Sequence, residues 1–306
     1  MISPLLLHEY QNGNCNVKLY ADGTKVREYE GTPMPVHPES MDVKITNQCD
    51  LGCSFCHERS TPKGKHADIG TLLEVLKPLP AGVEIAIGGG NPLSHPELPA
   101  LLQSLHKQGL VANITVNLEH AKQYDELLYH MQQLGHIHGL GISVPAGPTV
   151  IPQQKCFTAN TVFHLIAGVN PVAEVYRLKT LCEKGCIPCK ILVLGYKNYG
   201  RGARHYQTHI TSTTLCHNDW HDNLDRLFQL NGLTLSFDNL ALQQLRVQRH
   251  LSEDQWDEFF MGDDGTFTMY VDTVKQVFAK SSTSTERVPF AKSTLLNYFK
   301  SLQQSV

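Results

Sequence analysis

At 306 residues the chain is long enough to bury a sizeable core, and such lengths are routine for a single α/β barrel unit. A hydrophobic fraction of 41% is a little low but still globular, and a formal net charge of −3 provides no global field toward nucleic acid or an anionic membrane. No stretch nears the roughly 18 apolar residues of a transmembrane helix, and the opening Leu5-Leu6-Leu7 lacks the basic flank of a secretory signal, so a cytoplasmic protein is expected.

In chain order, residues 17–29 predict a β-hairpin about Asp22-Gly23, followed by a Pro-rich link over 33–38. From Asp42 the pattern becomes strand, loop, helix, repeated. Val43 and Ile45 belong to a first strand, and Asp68 caps a helix with Ile69, Leu72, Leu73 and Leu76 on one face. Val83, Ile85 and Ile87 form a second strand ending in Gly88-Gly89-Gly90. Ser94 and Glu97 have capping-box spacing before a helix through Leu98, Leu101, Leu102 and Leu105. Further strands are expected over 111–117, 140–144, 162–167 and 190–194, with helices about Leu127–Leu134 and Val172–Leu181. After that the rhythm loosens. A strand over 233–237, a hairpin over 266–279 and a closing helix over 291–302 are expected.

Alternating strands and helices imply parallel pairing through right-handed crossovers, which suits either a partial barrel or an open doubly wound sheet. The expected organisation is a hairpin and linker over residues 1–41, a core over 42–214 and a C-terminal α/β extension over 215–306.

Nine cysteines, clustered and not dispersed, fit metal or redox chemistry better than a disulfide framework. Cys49, Cys53 and Cys56 lie within eight residues, just after the first strand. Thiolates are the usual iron–sulfur ligands, and three on one loop leave one iron of a cubane open to a small molecule. Gly52 permits the tight turn. With His57 added, the same residues could hold tetrahedral zinc, and buried inert thiols are the plainest reading.

The x3–x2 spacing after a first strand, with Phe55 before the third cysteine, resembles the radical S-adenosylmethionine superfamily over about half the chain. The resemblance implies a partial (βα)6 barrel and a 4Fe–4S cluster on Cys49, Cys53 and Cys56. It also implies S-adenosylmethionine on the open iron, an external one-electron reductant, and cleavage to a 5′-deoxyadenosyl radical that abstracts a substrate hydrogen. Gly88, Gly89, Gly90 and Asn91 resemble the family's Gly-Gly-Glu-Pro turn, whose backbone meets the methionyl ammonium. Asn91 departs from it, and a glutamate there should be tolerated. Ser143 would touch the ribose or methionyl part, and Ile166 and Gly168 resemble the adenine-contacting stretch.

His164 reads as a hydrogen-bonded core histidine. A basic loop after the sixth strand carries Lys197, Arg201 and Arg204, and Asp238 follows the possible seventh strand. In a barrel these share the catalytic rim and could bind substrate, although a solvated loop and a helix cap are their plain roles. Cys182, Cys186 and Cys189 repeat the x3–x2 spacing, but span a helix end and the next strand start. They are expected to be buried thiols on the opposite face, not a second cluster site. Two other functions stay open: a zinc-stabilised binding module, and an iron–sulfur protein that binds S-adenosylmethionine without cleaving it. The substrate is undetermined between small molecule, nucleoside and peptide.

Overall fold

The computed structural model describes residues 4–147 and 149–304. Met1 to Ser3 of the opening segment, Pro148, and Ser305 and Val306 of the C-terminal segment lie outside the described residues.

Three antiparallel strands come first: β1 (Leu6–Asn12), β2 (Cys15–Tyr20) and β3 (Lys25–Glu28). The predicted hairpin is β2–β3. β1 extends it, and its polar run His8, Glu9, Gln11 and Asn12 gives no clean alternation from which to read a strand. Gly13, at φ +64°, joins β1 to β2; a Cβ there would lie 1.8 Å from the Met34 carbonyl oxygen, so only glycine fits.

The main body continues as β4 (Ser40–Thr46), α1 (Ile69–Leu76), β5 (Glu84–Gly89), α2 (Leu98–Gln108), β6 (Val111–Asn117), α3 (Leu118–Gln123) and α4 (Asp125–Gln133). Next come β7 (Gly139–Ser143), β8 (Thr161–Ile166), α5 (Ala173–Glu183), β9 (Lys190–Leu194), α6 (Gly200–Thr208), α7 (Ile210–Phe228) and β10 (Thr234–Phe237). The chain ends with α8 (Asn239–Leu245), α9 (Glu253–Phe259), β11 (Thr268–Asp272), β12 (Val277–Ala279), β13 (Val288–Pro289) and α10 (Leu295–Gln303).

β4 to β10 lie side by side in chain order, all parallel. β11 then pairs in parallel with β4 at the other edge and carries antiparallel β12 and β13. The result is a partial α/β barrel. The six predicted strands are β4 to β9, β10 adds a seventh, and β10 and β13 end the sheet without pairing. One face of each strand joins the apolar core: Met41, Val43 and Ile45 of β4 cluster with Leu72, Leu76, Leu101, Leu102 and Leu105 of the helices. The other face, with Asp42, Lys44, Asn113, Thr115 and His164, lines the lumen.

The N-terminal sheet closes the floor, at the strand starts. Lys25 pairs with Glu84 at 2.7 Å, Arg27 with Glu39 at 2.7 Å, and Lys190 donates to the Asp22 carbonyl at 2.7 Å.

Two expectations are corrected. The Ser94–Glu97 capping box does not form. A 3-10 turn over Pro92–Ser94 takes Ser94, whose hydroxyl donates to the Asn91 carbonyl. The buried His95 ring does the capping instead: its Nδ1 accepts from Glu97 N at 3.1 Å while Nε2 donates to the Ala67 carbonyl at 3.0 Å. The stretch after β9 is not a loop either. Arg201 and Arg204 lie on α6, and α7 buries Thr213, Trp220, Leu224 and Leu227 at helical spacing. Its Thr, His and Asn residues are weak helix formers and mask that pattern in the sequence.

Candidate functional site

β4 delivers the chain to the C-terminal strand ends, where residues 47–66 fold back on themselves. Asn47 N donates to the Lys65 carbonyl at 2.8 Å, and Cys49 N to the Thr61 carbonyl at 3.0 Å. Gly52 takes φ +64° in the turn between the first two cysteines. Arg201 of α6 clamps this loop from 148 positions along the chain. Its Nε donates to the Cys53 carbonyl at 2.9 Å, its Nη1 to the Ser60 carbonyl at 2.7 Å, and its backbone N to the Cys56 carbonyl at 3.0 Å. Gly200 and Gly202 let α6 approach: a Cβ on Gly200 would lie 2.2 Å from the His57 carbonyl oxygen. A second brace comes from α3, where buried His120 Nε2 meets Asp50 Oδ1 at 2.7 Å. That contact holds Asp50 below the usual carboxylate range.

The three thiols are half-buried. Burial pushes Cys49 and Cys53 up; Asp50 and then Cys56 push Cys49 further, and Cys56 and Cys49 do so for Cys53. Thiolates crowded in this way are relieved by a cationic iron core, so the donor set fits a cluster. Among the described residues the one group of three donors within 4.8 Å of one another is Cys49, Asp50 and His120, not the thiols. His57 turns to Glu58 at 3.5 Å.

Beside the loop runs the glycine turn. Gly90 N donates to the Thr46 carbonyl at 2.8 Å and Asn91 N to the Gln48 carbonyl at 2.6 Å. A Cβ on Gly89 or Gly90 would lie 2.4 or 2.2 Å from backbone oxygens of Thr46 and Gln48. These glycines therefore let the β5 end pack against the lead-in to Cys49, while Gly88 faces open space. Asn91 is buried, and its Oδ1 accepts from Leu93 N at 3.1 Å. Its amide thus caps the following turn. Ser143 ends β7 opposite His164. Ile166 ends β8, with its N donating to Asn170 Oδ1 at 2.8 Å. Gly168 is packed beneath His217 of α7, whose Nε2 a Cβ would meet at 2.5 Å.

The lumen below is charged. Lys44 sits between Glu58, which it contacts closely, and Asp272 at 3.3 Å, and Tyr270 OH donates to Glu58 at 3.1 Å. Burial would raise Glu58, but His57 and Lys44 hold it well below the usual carboxylate range. On the open side Asp42 is pushed up by burial against the pull of Lys197, and Asp238 likewise. Asp238 caps α8, accepting from Ala241 N at 2.7 Å and Gly195 N at 2.9 Å. Lys197 Nζ reaches Ser282 Oγ at 2.9 Å. Among the described residues His164 has no side-chain hydrogen-bond partner and faces the lumen, unlike the bonded core histidine expected; burial, then Lys197, pushes it down to about 4. Gly141 makes room for its ring. A cavity of about 400 Å³ opens between β10 and β11 and reaches down to the floor, with Arg27, Glu84, Asp42, Asp238, Asp264 and Tyr270 in its lining and no residue of the cysteine loop or the glycine turn.

The second cysteine triplet lies at the α5–β9 turn. Cys182 and Cys189 are joined in a disulfide, with Cα atoms 5.4 Å apart, and Cys186 is free. None of the three is fully buried, which corrects the reading of three inert core thiols. Gly185, at φ +70°, folds the turn back and brings its ends within disulfide reach.

The three cysteines and the glycine turn singled out from the sequence lie side by side at the C-terminal strand ends. The sequence does not single out His120, Asp50 or the role of Arg201, because nothing local marks contacts 70 and 148 residues apart.

No helix among the described residues is long and apolar enough to cross a membrane. No curated protein matches the chain. Among solved structures, Streptococcus suis SuiB bound to precursor peptide SuiA aligns at 13% identity and TM-score 0.57, over 87% of this chain and 65% of that one. SuiB bound to S-adenosylmethionine aligns at 12% identity and TM-score 0.52, over 87% and 66%. The chain thus spans a little under two thirds of SuiB, and the likeness is one of fold. The Radical SAM superfamily profile matches residues 43–200, which takes in the cysteine loop, the glycine turn and all six predicted strands. That match covers just over half the chain and carries with it a 4Fe–4S cluster and S-adenosylmethionine as cofactors: the protein belongs to the radical SAM superfamily.

Proposed function

We propose that the protein reductively cleaves S-adenosylmethionine and uses the resulting 5′-deoxyadenosyl radical to take a hydrogen atom from a substrate in the barrel lumen. The observation that carries this reading is the loop of Cys49, Cys53 and Cys56, held by Arg201 and pressed against the glycine turn. The cluster, when bound, supplies the electron for cleavage. The chain supplies the rest. Cys49, Cys53 and Cys56 ligate three irons. Arg201 donates to the peptide carbonyls of Cys53 and Ser60 and so holds the loop that carries the thiols. The backbone of the turn at residues 88–90 would hold the methionyl ammonium, while Asn91 shapes the turn. Ser143, Ile166 and Gly168 flank the nucleoside.

Below, Asp42, His164 and Lys197 face the bound substrate and orient it, while the apolar helix layer keeps bulk water from the radical. A peptide fits the laterally open cavity, as SuiB binds a precursor peptide; a small metabolite or nucleoside fits its volume.

The test is anaerobic reconstitution followed by dithionite. About four irons per chain and slow release of 5′-deoxyadenosine and methionine are expected. Cys53→Ala should lose most of the iron and keep the fold. Full iron in all three cysteine variants would sink the assignment. A full cluster without 5′-deoxyadenosine would leave the non-catalytic reading, and colourless protein with one zinc the binding module.

A further inference from the structure

The cavity between β10 and β11 holds a carboxylate without a partner. Asp42 lies on the lumen face of β4, level with Tyr270 of β11 and Ala86 of β5. It is open to the cavity yet surrounded by protein, and burial is the main cause that pushes its carboxyl up. Lys197 pulls it back, while Asp238 and Asp264, which line the same cavity, push it further. Among the described residues Asp42 makes no hydrogen bond and no ion pair. Asp238 and Asp264 each have one oxygen engaged. Asp238 Oδ1 caps α8, and Asp264 Oδ1 accepts from Asn239 Nδ2 at 2.9 Å. The other oxygen of each makes no hydrogen bond among the described residues.

The cations that could neutralise these acids are committed elsewhere. On the floor Lys25 pairs with Glu84 and Arg27 with Glu39, both at 2.7 Å. One lumen position above Asp42, Lys44 is held by Glu58 and Asp272. Lys197 sets its Nζ on Ser282 Oγ at 2.9 Å, and its pull on Asp42 and Asp238 is weaker than the push of burial. Lys280 follows β12 and is exposed, with its stem against Gly265, whose Cβ would lie 3.0 Å from Lys280 Cγ. Three carboxylates thus share the cavity with one uncommitted lysine. Enclosing a carboxylate without a counterion is costly, so Asp42 adds nothing to the fold that a neutral residue would not.

We infer that Asp42, flanked by Asp238 and Asp264, seats a cationic nitrogen of the substrate, an ammonium or guanidinium group, in the lower lumen. The inference rests on the proposed function for the reaction that follows, not for the binding. The free carboxylate oxygens take the cation by charge-assisted hydrogen bonds. Successive residues on one face of a strand are about 7 Å apart, and Lys44, the next on this face, contacts Glu58 of the cysteine loop. A substrate held by its charge at Asp42 therefore presents its carbon chain upward, beneath that loop. Anionic substrates are turned away by the same three carboxylates.

The test is calorimetric binding to the reconstituted protein without reductant. The probes are Nα-acetyl-lysine methylamide for a residue in a peptide, cadaverine for a free amine, and Nα-acetyl-norleucine methylamide as the neutral counterpart of the first. At least one cationic probe should bind about tenfold or more tighter than the neutral one, and the tighter of the two identifies the source of the cation. Asp42→Asn should abolish that preference, and Asp42→Glu should keep part of it. Asp42→Asn should also leave the iron content unchanged and raise the melting temperature, because an enclosed, unpaired charge is removed. A lower melting temperature would make Asp42 a structural residue and overturn the seat. Equal binding of charged and neutral probes, no binding by any of them, or an unchanged preference in Asp42→Asn overturns it as well. Absence of 5′-deoxyadenosine in the separate turnover assay sinks the cleavage reading, and the binding titrations still decide the seat.

Discussion

Arg201 shows how much of a site can rest on a residue that ligates nothing. Its guanidinium spans two carbonyls of the cysteine loop, and its planar fork is suited to two acceptors at once in a way a lysine ammonium is not. Charged donors to buried carbonyls are worth about 1.5–3 kcal/mol each. Arg201→Ala is therefore expected to lower iron retention, speed amide exchange in residues 53–60 and lower the melting temperature measurably. Arg201→Lys should rescue only in part, and full iron with unchanged exchange in the alanine variant would contradict the clamp. The cysteines were legible because three identical ligands sit within eight residues. Arg201 was not, because an arginine after a strand is read as a solvated charge until the fold brings residue 201 against residue 53. By analogy Asn91 stands where the family turn commonly has a glutamate. The structure makes it a cap, a local role that its position before Pro92 does signal.

At the scale of elements, the period-2 and helical patterns sufficed for β4 to β9 and for α1, α2 and α5, where buried leucine, isoleucine and valine recur at the right spacing. They failed where the burying face is carried by few residues. β1 is polar along most of its length, and α7 offers Thr213, Trp220, Leu224 and Leu227 among residues of low helix propensity. The α5–β9 turn tests a different inference. It repeats the cysteine spacing of the first loop, but it leads into the start of β9, beside the Lys190 contact with the floor, and so lies at the opposite end of the strands from the glycine turn. Replacing Cys182, Cys186 and Cys189 together by serine is expected to leave iron near four per chain. Loss of the disulfide should show instead as lower thermal stability, by roughly 2 kcal/mol. Iron falling from near eight to near four would make the turn a second cluster site.

For the whole molecule, the N-terminal sheet is what ties the strand starts together, and its ion pairs give stability a pH dependence. Burial by itself would raise Glu84, but Lys25 and Asn113 outweigh it and hold the carboxyl below its ordinary value. Its stabilisation is thus complete above the ordinary carboxylate range, near 4.5, and is lost as pH falls through the lowered value. Glu84→Gln is expected to cost about 3 kcal/mol near neutrality, because Lys25 is left with only the 4.0 Å contact to Glu39. That deficit should shrink on acidification below the ordinary range; chemical denaturation at several pH values checks it, and a constant deficit would show that the pair does not titrate with folding. The reach of the Arg201 clamp has a consequence in time as well as in space. A growing chain presents Cys49, Cys53 and Cys56 about 150 residues before the arginine that shapes their loop has been made. Contacts of such sequence separation form late, because loop closure must come before they contribute. Iron offered to a nascent chain would meet three thiols with no fixed spacing, so cluster loading belongs after synthesis has passed α6 and the sheet has closed over its floor.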